Sequence, residues 1–396
     1  MRKLTLPTSA YVVLAAGFLV LFVGAGARFA IGLTLKPMVD EFTWDRSQLG
    51  VAVAVFQVVS AATMFVAGTL ADRMSLRLVL GGGLVASGVA IGLMSLVSAP
   101  WHAVALYGCL FGIGNGSASL IPIGVMVTRA FPGRAGLANG IVTSGLCVGQ
   151  LVMIAVLAGV LVTIGWRSVF VWLGVAYLIV LPLAFAAIPG RSDAKTHGSL
   201  PPLSGLSVAE AARTRQFWLL VLVYGICGFD DYFVATHVVA FAQDKGINPF
   251  FAGNLLALMG LTGLIGVILA GHWSDRADPV WPGATSFLAR VAVFALILID
   301  QSPVSVAVFA LVFGMTFLVT APLAVVFVRD AFGIKNLGAL TGLITMVHHV
   351  CGGIGAYIGA SIFDATSRYD VAFVIMFAVS AIALVLMIAM RRPRTR

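Results

Sequence analysis

Two ionised side chains interrupt long apolar stretches at related places in this 396-residue chain: Arg28 in the first stretch and Asp231 in the seventh. A charge at mid-bilayer costs about 2.5–3.5 kcal/mol on the insertion scale, so such residues line a cavity or meet a partner. A guanidinium presents a planar fork that matches a carboxylate bidentately, which makes Arg28 a candidate anchor for an organic anion. Desolvation favours the neutral form of an aspartate, so Asp231 is a candidate proton carrier unless a nearby arginine keeps it ionised. Pairing with Arg28 and binding of a proton would then compete at Asp231. A structural ion pair that locks two helices together and never touches a solute is the plainer alternative.

Helical phase sorts the neighbours of Asp231. At 100° per residue Asp230 and His237 share one face two turns apart, whereas Tyr224, Gly228 and Asp231 share another. Asp230 and His237 join Asp231 as coupling candidates, with contact between them only through water or an intermediate group. His348 and His349 lie near the middle of the eleventh stretch; His348 is assigned to proton coupling and His349 to substrate binding, with only one of the two facing the cavity. Tyr224, Gln57, Asn115 and Thr320 complete the candidate substrate-binding set, although each of the last three better suits a helix-to-helix hydrogen bond.

These residues need a frame that spans a bilayer. The chain is 60% hydrophobic and 10% charged, with a mean hydropathy of +1.06, too little polar surface to coat a water-soluble globule. Twelve apolar stretches of about 20 residues or more are each long enough to cross the hydrocarbon core, from Ala10–Leu35 to Val371–Met390. The expected fold class is therefore all-α integral membrane, with twelve transmembrane helices as two six-helix bundles: residues 1–190, a cytoplasmic linker 191–215 rich in Pro, Ser, Gly and basic residues, and residues 216–396.

Lysines and arginines collect on the side of both termini, in Arg73, Arg77, Arg129, Arg134, Arg191 and the tail, while the opposite loops hold only Lys36, Arg46, Arg167, Lys245 and Arg368. The positive-inside rule places both termini in the cytoplasm. The net charge of +9 is then a topology signal, not a nucleic-acid footprint. Cys109, Cys147, Cys227 and Cys351 fall within helices with no metal-ligand spacing and read as small packing residues. Gly81-Gly82-Gly83 has no strand before it and no Lys-Ser/Thr after it, so it is no phosphate loop. No bound cofactor is implied, and no nucleophile and base pair suggests an enzyme.

The halves repeat in detail. Subtracting 28 from 231, or 72 from 275, gives 203 in both cases, the second being the offset between the loops Gly68-Thr69-Leu70-Ala71-Asp72-Arg73 and Gly271-His272-Trp273-Ser274-Asp275-Arg276. Pro122 to Arg129 and Pro322 to Arg329 close the fourth and tenth stretches alike. An even number of spans per half makes the units parallel repeats about an axis along the membrane normal. Gly108, Gly112 and Gly116, and Gly355 with Gly359, recur every four residues as close-packing faces.

With Gly68-x-x-x-Asp72-Arg73-x-x-x-Arg77 between the second and third helices, the chain resembles the major facilitator superfamily over its whole length. Within it, Gly26-Ala27-Arg28-Phe29, Lys36-Pro37-Met38, Trp44-Asp45-Arg46-Ser47, Thr236 to Ala242, and His348-His349 with Gly352, Gly353 and Gly355 resemble the bacterial branch related to monocarboxylate transporters and oxalate/formate exchangers. The resemblance implies two bundles rocking around a central cavity, with helices one, four, seven and ten nearest the axis. It also implies a cytoplasmic latch of Gly68, Asp72, Arg73 and Arg77, with an asymmetric counterpart in Asp275 and Arg276. It places the ninth helix, and Arg290 within it, at the periphery, where snorkelling toward the cytoplasm explains an arginine. One departure stands out: the arginine that many monocarboxylate transporters carry after a glycine in the eighth helix is Val267 here, and Arg28 is expected to replace it from the opposite half.

The expected function is secondary active transport of a small organic anion, a monocarboxylate, with proton symport or anion exchange, by a monomer in the bacterial inner membrane. The alternative is a proton-coupled multidrug or cationic-metabolite exporter using Asp230 and Asp231 as its cation site.

Overall fold

The structure, a computed structural model, describes residues 8–73, 76–131, 135–187, 205–274, 276–333 and 335–391. Apolar composition becomes helix because a bilayer offers no water to backbone N–H and C=O groups, which helices satisfy internally. The first half contains α1 (Thr8–Phe42), α2 (Arg46–Arg73), α3 (Leu76–Leu93), a broken fourth span, α7 (Ala135–Ile164) and α8 (Trp166–Ala187). The fourth span is α4 (Pro100–Ala103), a π-helical segment (Val104–Phe111), α5 (Gly112–Ser117) and α6 (Leu120–Ala130). After the short α9 (Val208–Ala211) come α10 (Arg215–Asp244), α11 (Pro249–Ser274), α12 (Val280–Ile299), a second broken span of α13 (Pro303–Phe317) and α14 (Thr320–Phe332), α15 (Leu337–Thr366) and α16 (Asp370–Ala389).

Among the described residues eleven helical stretches are long and apolar enough to cross a membrane; the twelfth expected span, the tenth along the chain, is divided, leaving the 15-residue α13 below that length. The two breaks occupy equivalent places, at Ala118–Ser119 and Leu318–Val319. Both stand immediately ahead of a helix that contains Pro122 or Pro322, and a proline has no N–H to return to the carbonyl four residues earlier, Ala118 or Leu318. The same repeat that pairs the prolines therefore pairs the breaks.

Glycines set the closest helix approaches. Gly108, Gly112 and Gly116 each face α2, at Val55, Val59 and Thr63, as their four-residue spacing predicts. On α10, Gly228 presents its bare Cα to the backbone carbonyl of His348 on α15, a contact that any Cβ would block. Residues 205–215, at the end of the expected linker, are held by specific contacts. Ser207 and Glu210 form a capping box on α9, and Leu206 N donates to Phe332 O at 2.8 Å, pinning this segment to the end of α14. The Glu210 carboxyl is held below the usual range chiefly by the Ser207 backbone N–H.

The halves meet on the side away from the linker. One apolar core, with Leu33, Phe56, Leu157, Ala235, Leu256 and Ala356 among its members, runs through both halves, whereas a second, including Phe217, Val223, Phe327, Ile344 and Met387, belongs to the linker-side end of the C-terminal half alone. Across the far side, Gly32 abuts the Ala235 carbonyl, Gly50 packs on Ala360 and Gly253 packs on Ala158 and Leu33.

Candidate functional site

The buried charges of the C-terminal half gather around an arginine that its span alone made look peripheral. Arg290 is 0% exposed, and it sits ten residues from the start of α12 and nine from its end, about 14–15 Å from either. That depth exceeds the reach of a snorkelling side chain, so the expectation of a cytoplasmic head group is corrected: the guanidinium turns inward. Its Nη2 lies 2.7 Å from Asp231 Oδ1 and its Nη1 lies 3.8 Å from Asp230 Oδ2. It also donates to Thr316 Oγ1 at 3.1 Å, to Thr316 O at 3.2 Å and to the Cys227 carbonyl at 3.4 Å. The Thr316 carbonyl lies in the last turn before the break, where it also accepts the Val319 N–H at 3.3 Å.

Around this centre stand several residues singled out from the sequence. Asp231 Oδ2 accepts from Cys227 Sγ at 3.4 Å, and Cys227 Sγ is 3.3 Å from Thr320 Oγ1. Tyr224 donates its hydroxyl proton to Thr320 O at 2.7 Å. His348 Nε2 lies 3.8 Å from Asp231 Oδ2, and its Nδ1 lies 3.3 Å from the Tyr224 carbonyl. Asp230 is buried on the other face of α10, where Ser380 of α16 donates to it at 2.6 Å. Asp230, Asp231, Tyr224, Thr320 and His348 are thus brought together, with Cys227, Arg290, Thr316 and Ser380 as members that sequence reasoning missed. The legible signals were the depth of Arg290 and the one-turn spacing of Cys227 and Asp231.

Arg28 approaches from the other half but does not pair with Asp231, whose close guanidinium partner is Arg290. Its Cζ lies 4.9 Å from the centroid of the Tyr232 ring and 5.9 Å from that of Phe29, a cation–π setting. Its Nε is buried without a hydrogen-bond partner, and among the described residues no carboxylate forms an ion pair with it. Tyr107, in the π-helical segment, donates to the Arg28 carbonyl at 2.7 Å and so fixes the backbone there. A narrow pocket beside Arg28 is lined by Val53, Phe56, Tyr107, Tyr232 and Thr236. His349 lies against the far edge of Tyr232, with Nδ1 3.5 Å from its hydroxyl. Both histidines therefore contact the neighbourhood of this interface.

Three candidates lie elsewhere. Gln57 is 1% exposed and packs beside Gly353 of α15, between the halves. Asn115 accepts from Ser60 at 3.2 Å, a bond within the N-terminal half. His237 stands two turns, about 10 Å, from Asp230 and belongs to the far-side closure. Its Nε2–H donates to Ala356 O at 2.8 Å, which leaves Nδ1 to accept from the Tyr369 hydroxyl at 3.0 Å. Arg46 in turn donates to Tyr369 at 2.7 Å and pairs with Asp244 at 2.7 Å, and Lys36 pairs with Asp244 at 2.8 Å. Asp364 accepts from the backbone N–H groups of Arg46 and Ser47 at 2.9 and 2.8 Å, capping α2 from the opposite half.

Of the proposed linker-side latch, Asp275, the side chains of Asp72 and Arg73 and the packing of Gly68 lie outside the described residues. Arg77 is exposed, and Arg276 makes a close contact with His272 one turn earlier on its own chain.

A family model described as Major Facilitator Superfamily matches residues 17–229 and again residues 220–396. The uncharacterized MFS-type transporter YcxA of Bacillus subtilis (strain 168) is 26% identical over 371 residues, covering 86% of this chain and 87% of that protein. Monocarboxylate transporter 11 of Homo sapiens is 22% identical over 379 residues, covering 92% and 79%. Among solved structures, a bacterial homolog to the human lysosomal transporter Spinster, in an inward-facing and occupied conformation, superposes with a TM-score of 0.77 at 16% identity, covering 96% of each chain.

Proposed function

The chain belongs to the major facilitator superfamily and is a multi-pass membrane transporter, not an enzyme; from that premise we propose that its cargo is a small organic anion of the monocarboxylate class, moved by alternating access with proton symport or anion exchange. The observation that carries this reading is Arg28. Its guanidinium sits at mid-span between the halves, beside Tyr232, with a buried Nε that has no partner. A carboxylate is the group that would satisfy it with two parallel hydrogen bonds.

Arg290 strengthens the reading by holding Asp231 at 2.7 Å, so that among the described residues Arg28 is left without an ion-pair partner. The same engagement weighs against a cationic-metabolite exporter, which needs Asp230 and Asp231 free. A relative named a monocarboxylate transporter lends support to the class of cargo. Lipid surrounds the transporter as a monomer, and both termini face the cytoplasm of a bacterial inner membrane. Closure on the side away from the linker then corresponds to a cavity open inward.

The test is uptake of radiolabelled monocarboxylates into proteoliposomes with and without an acidic exterior. Gradient-stimulated uptake supports symport, and uptake that needs an internal anion supports exchange. No uptake in either format, with transport of lipophilic cations instead, overturns the proposal.

A further inference from the structure

Beside the guanidinium centre three electron-pair donors converge from two helices. Cys227 and Asp231 stand one turn apart on α10, and the sulfur lies 3.4 Å from Asp231 Oδ2. His348 of α15 brings Nε2 to 3.8 Å from that same oxygen, and the three donor atoms all lie within 4.8 Å of one another. Cys227 and Asp231 are buried, while the imidazole keeps 17% of its side chain exposed, which gives a solute an approach.

Hydrogen-bond chemistry narrows what belongs between them. The Tyr224 carbonyl that faces His348 Nδ1 at 3.3 Å can only accept, so Nδ1 carries the ring proton and Nε2 turns a lone pair toward the carboxylate. Arg290 occupies the other oxygen, Oδ1, and leaves Oδ2 to the cluster. Two lone-pair donors thus face each other with a thiol alongside, an arrangement completed by an electrophile. Ligands held at about 2.0–2.3 Å by a tetrahedral ion stand roughly 3.3–3.8 Å apart, and the separations from Oδ2 are 3.4 and 3.8 Å. Thr320 Oγ1 lies 3.3 Å from the sulfur. A set of sulfur, nitrogen and carboxylate oxygen selects a borderline ion over Mg²⁺ or Ca²⁺. The carbonyl behind the imidazole and the arginine behind the carboxylate are the outer contacts that orient such ligands.

We propose that Cys227, Asp231 and His348 form a binding site for a divalent ion of the Zn²⁺ class, distinct from the anion site at Arg28. On binding, the Cys227 S–H bond breaks, its electron pair forms the metal–sulfur bond, and the proton leaves to cavity water. Asp230, Asp231 and the thiolate then carry three negative charges against three positive charges on Arg290 and the ion. The cluster is balanced without drawing on Arg28. An ion there ties α10 to α15 across the contact that Gly228 permits.

Titration of the purified full-length protein with Co²⁺ tests this without any transport assay, so its failure and that of the anion reading are distinguishable. The expected result is one equivalent bound with visible ligand-field bands of a tetrahedral ion and a thiolate-to-cobalt charge-transfer band, displaced by Zn²⁺. Cys227→Ser and His348→Ala should each weaken binding at least tenfold, whereas Cys351→Ser, also in this half, should leave it unchanged. Gel filtration reports whether each variant is folded, and if Cys227→Ser is not, His348→Ala carries the same comparison. Absence of the bands, their persistence in the folded variants, or their loss with Cys351→Ser overturns the site.

Discussion

Arg290 keeps its charge at mid-span because oxygen atoms from two helices surround it: Asp230, Asp231 and the Cys227 carbonyl on α10 and the Thr316 hydroxyl and carbonyl on α13, all meeting a guanidinium from α12. Removing one member of a buried ion pair strands the other, at a cost of about 3–5 kcal/mol. Arg290→Gln is therefore expected to lower the thermal unfolding midpoint in detergent sharply, and adding Asp231→Asn should restore part of the loss, since the two changes share one interaction. Additive losses would show that Arg290 and Asp231 act separately. Arg28 behaves oppositely, because among the described residues no carboxylate forms an ion pair with it and Asp231 has Arg290 as its close partner. Arg28→Ala should leave the unfolding midpoint nearly unchanged while raising the KM for a carboxylate about 10- to 100-fold, the worth of charge-assisted hydrogen bonds of roughly 1.5–3 kcal/mol. Arg28→Lys keeps the charge without the fork and should fall between the two. Unchanged KM in both variants removes Arg28 from the substrate site.

At the scale of elements, two devices position the site: a close approach and a break. Gly228 lets α10 and α15 touch backbone to backbone at His348, and this brings the imidazole beside Asp231. Gly228→Ala forces the helices apart and should cost about 1–3 kcal/mol as overpacking does. Gly271→Ala, with nothing within 4 Å of the added carbon, should be neutral or slightly stabilising, because alanine is the better helix former. A matched pair of melting curves checks this, and similar loss in both would point to a general intolerance of α-helical glycine changes. The break between α13 and α14 has a different effect. Thr316, in the last turn before it, shares its carbonyl between the Val319 N–H and Arg290, and Thr320, just after it, offers its carbonyl to Tyr224, so residues flanking the break supply polar partners deep in the bundle.

Over the whole molecule, the halves are fastened on one side by Asp244, which bridges Lys36 and Arg46, and by Asp364 on the N-terminus of α2. Because Asp244 is about one-fifth exposed, its pairs are screened, and about 1 kcal/mol in total is a suitable magnitude. Asp244→Asn should then shift the population toward opening on that side about fivefold. Labelling of Thr236→Cys by a membrane-impermeant maleimide added from that side should accelerate by a similar factor, Thr236 being 3% exposed beside the Arg28 pocket. An unchanged rate would mean that apolar packing, not the ion pairs, holds this side shut. Much of this architecture was readable without coordinates. Apolar run lengths, the 203-residue repeat carrying Arg28 onto Asp231 and the paired prolines determined a twice-repeated helical bundle with charges at its centre, since the demands of lipid on the backbone are local and one-dimensional. Which charge meets which was decided only by tertiary structure. Arg290 is 59 residues from Asp231, and His348 is 117 from it, so their meeting depends on how α12 and α15 rotate and pack on α10. Helical phase shows the face a residue occupies on its own helix; the neighbour that faces it is set by packing in three dimensions.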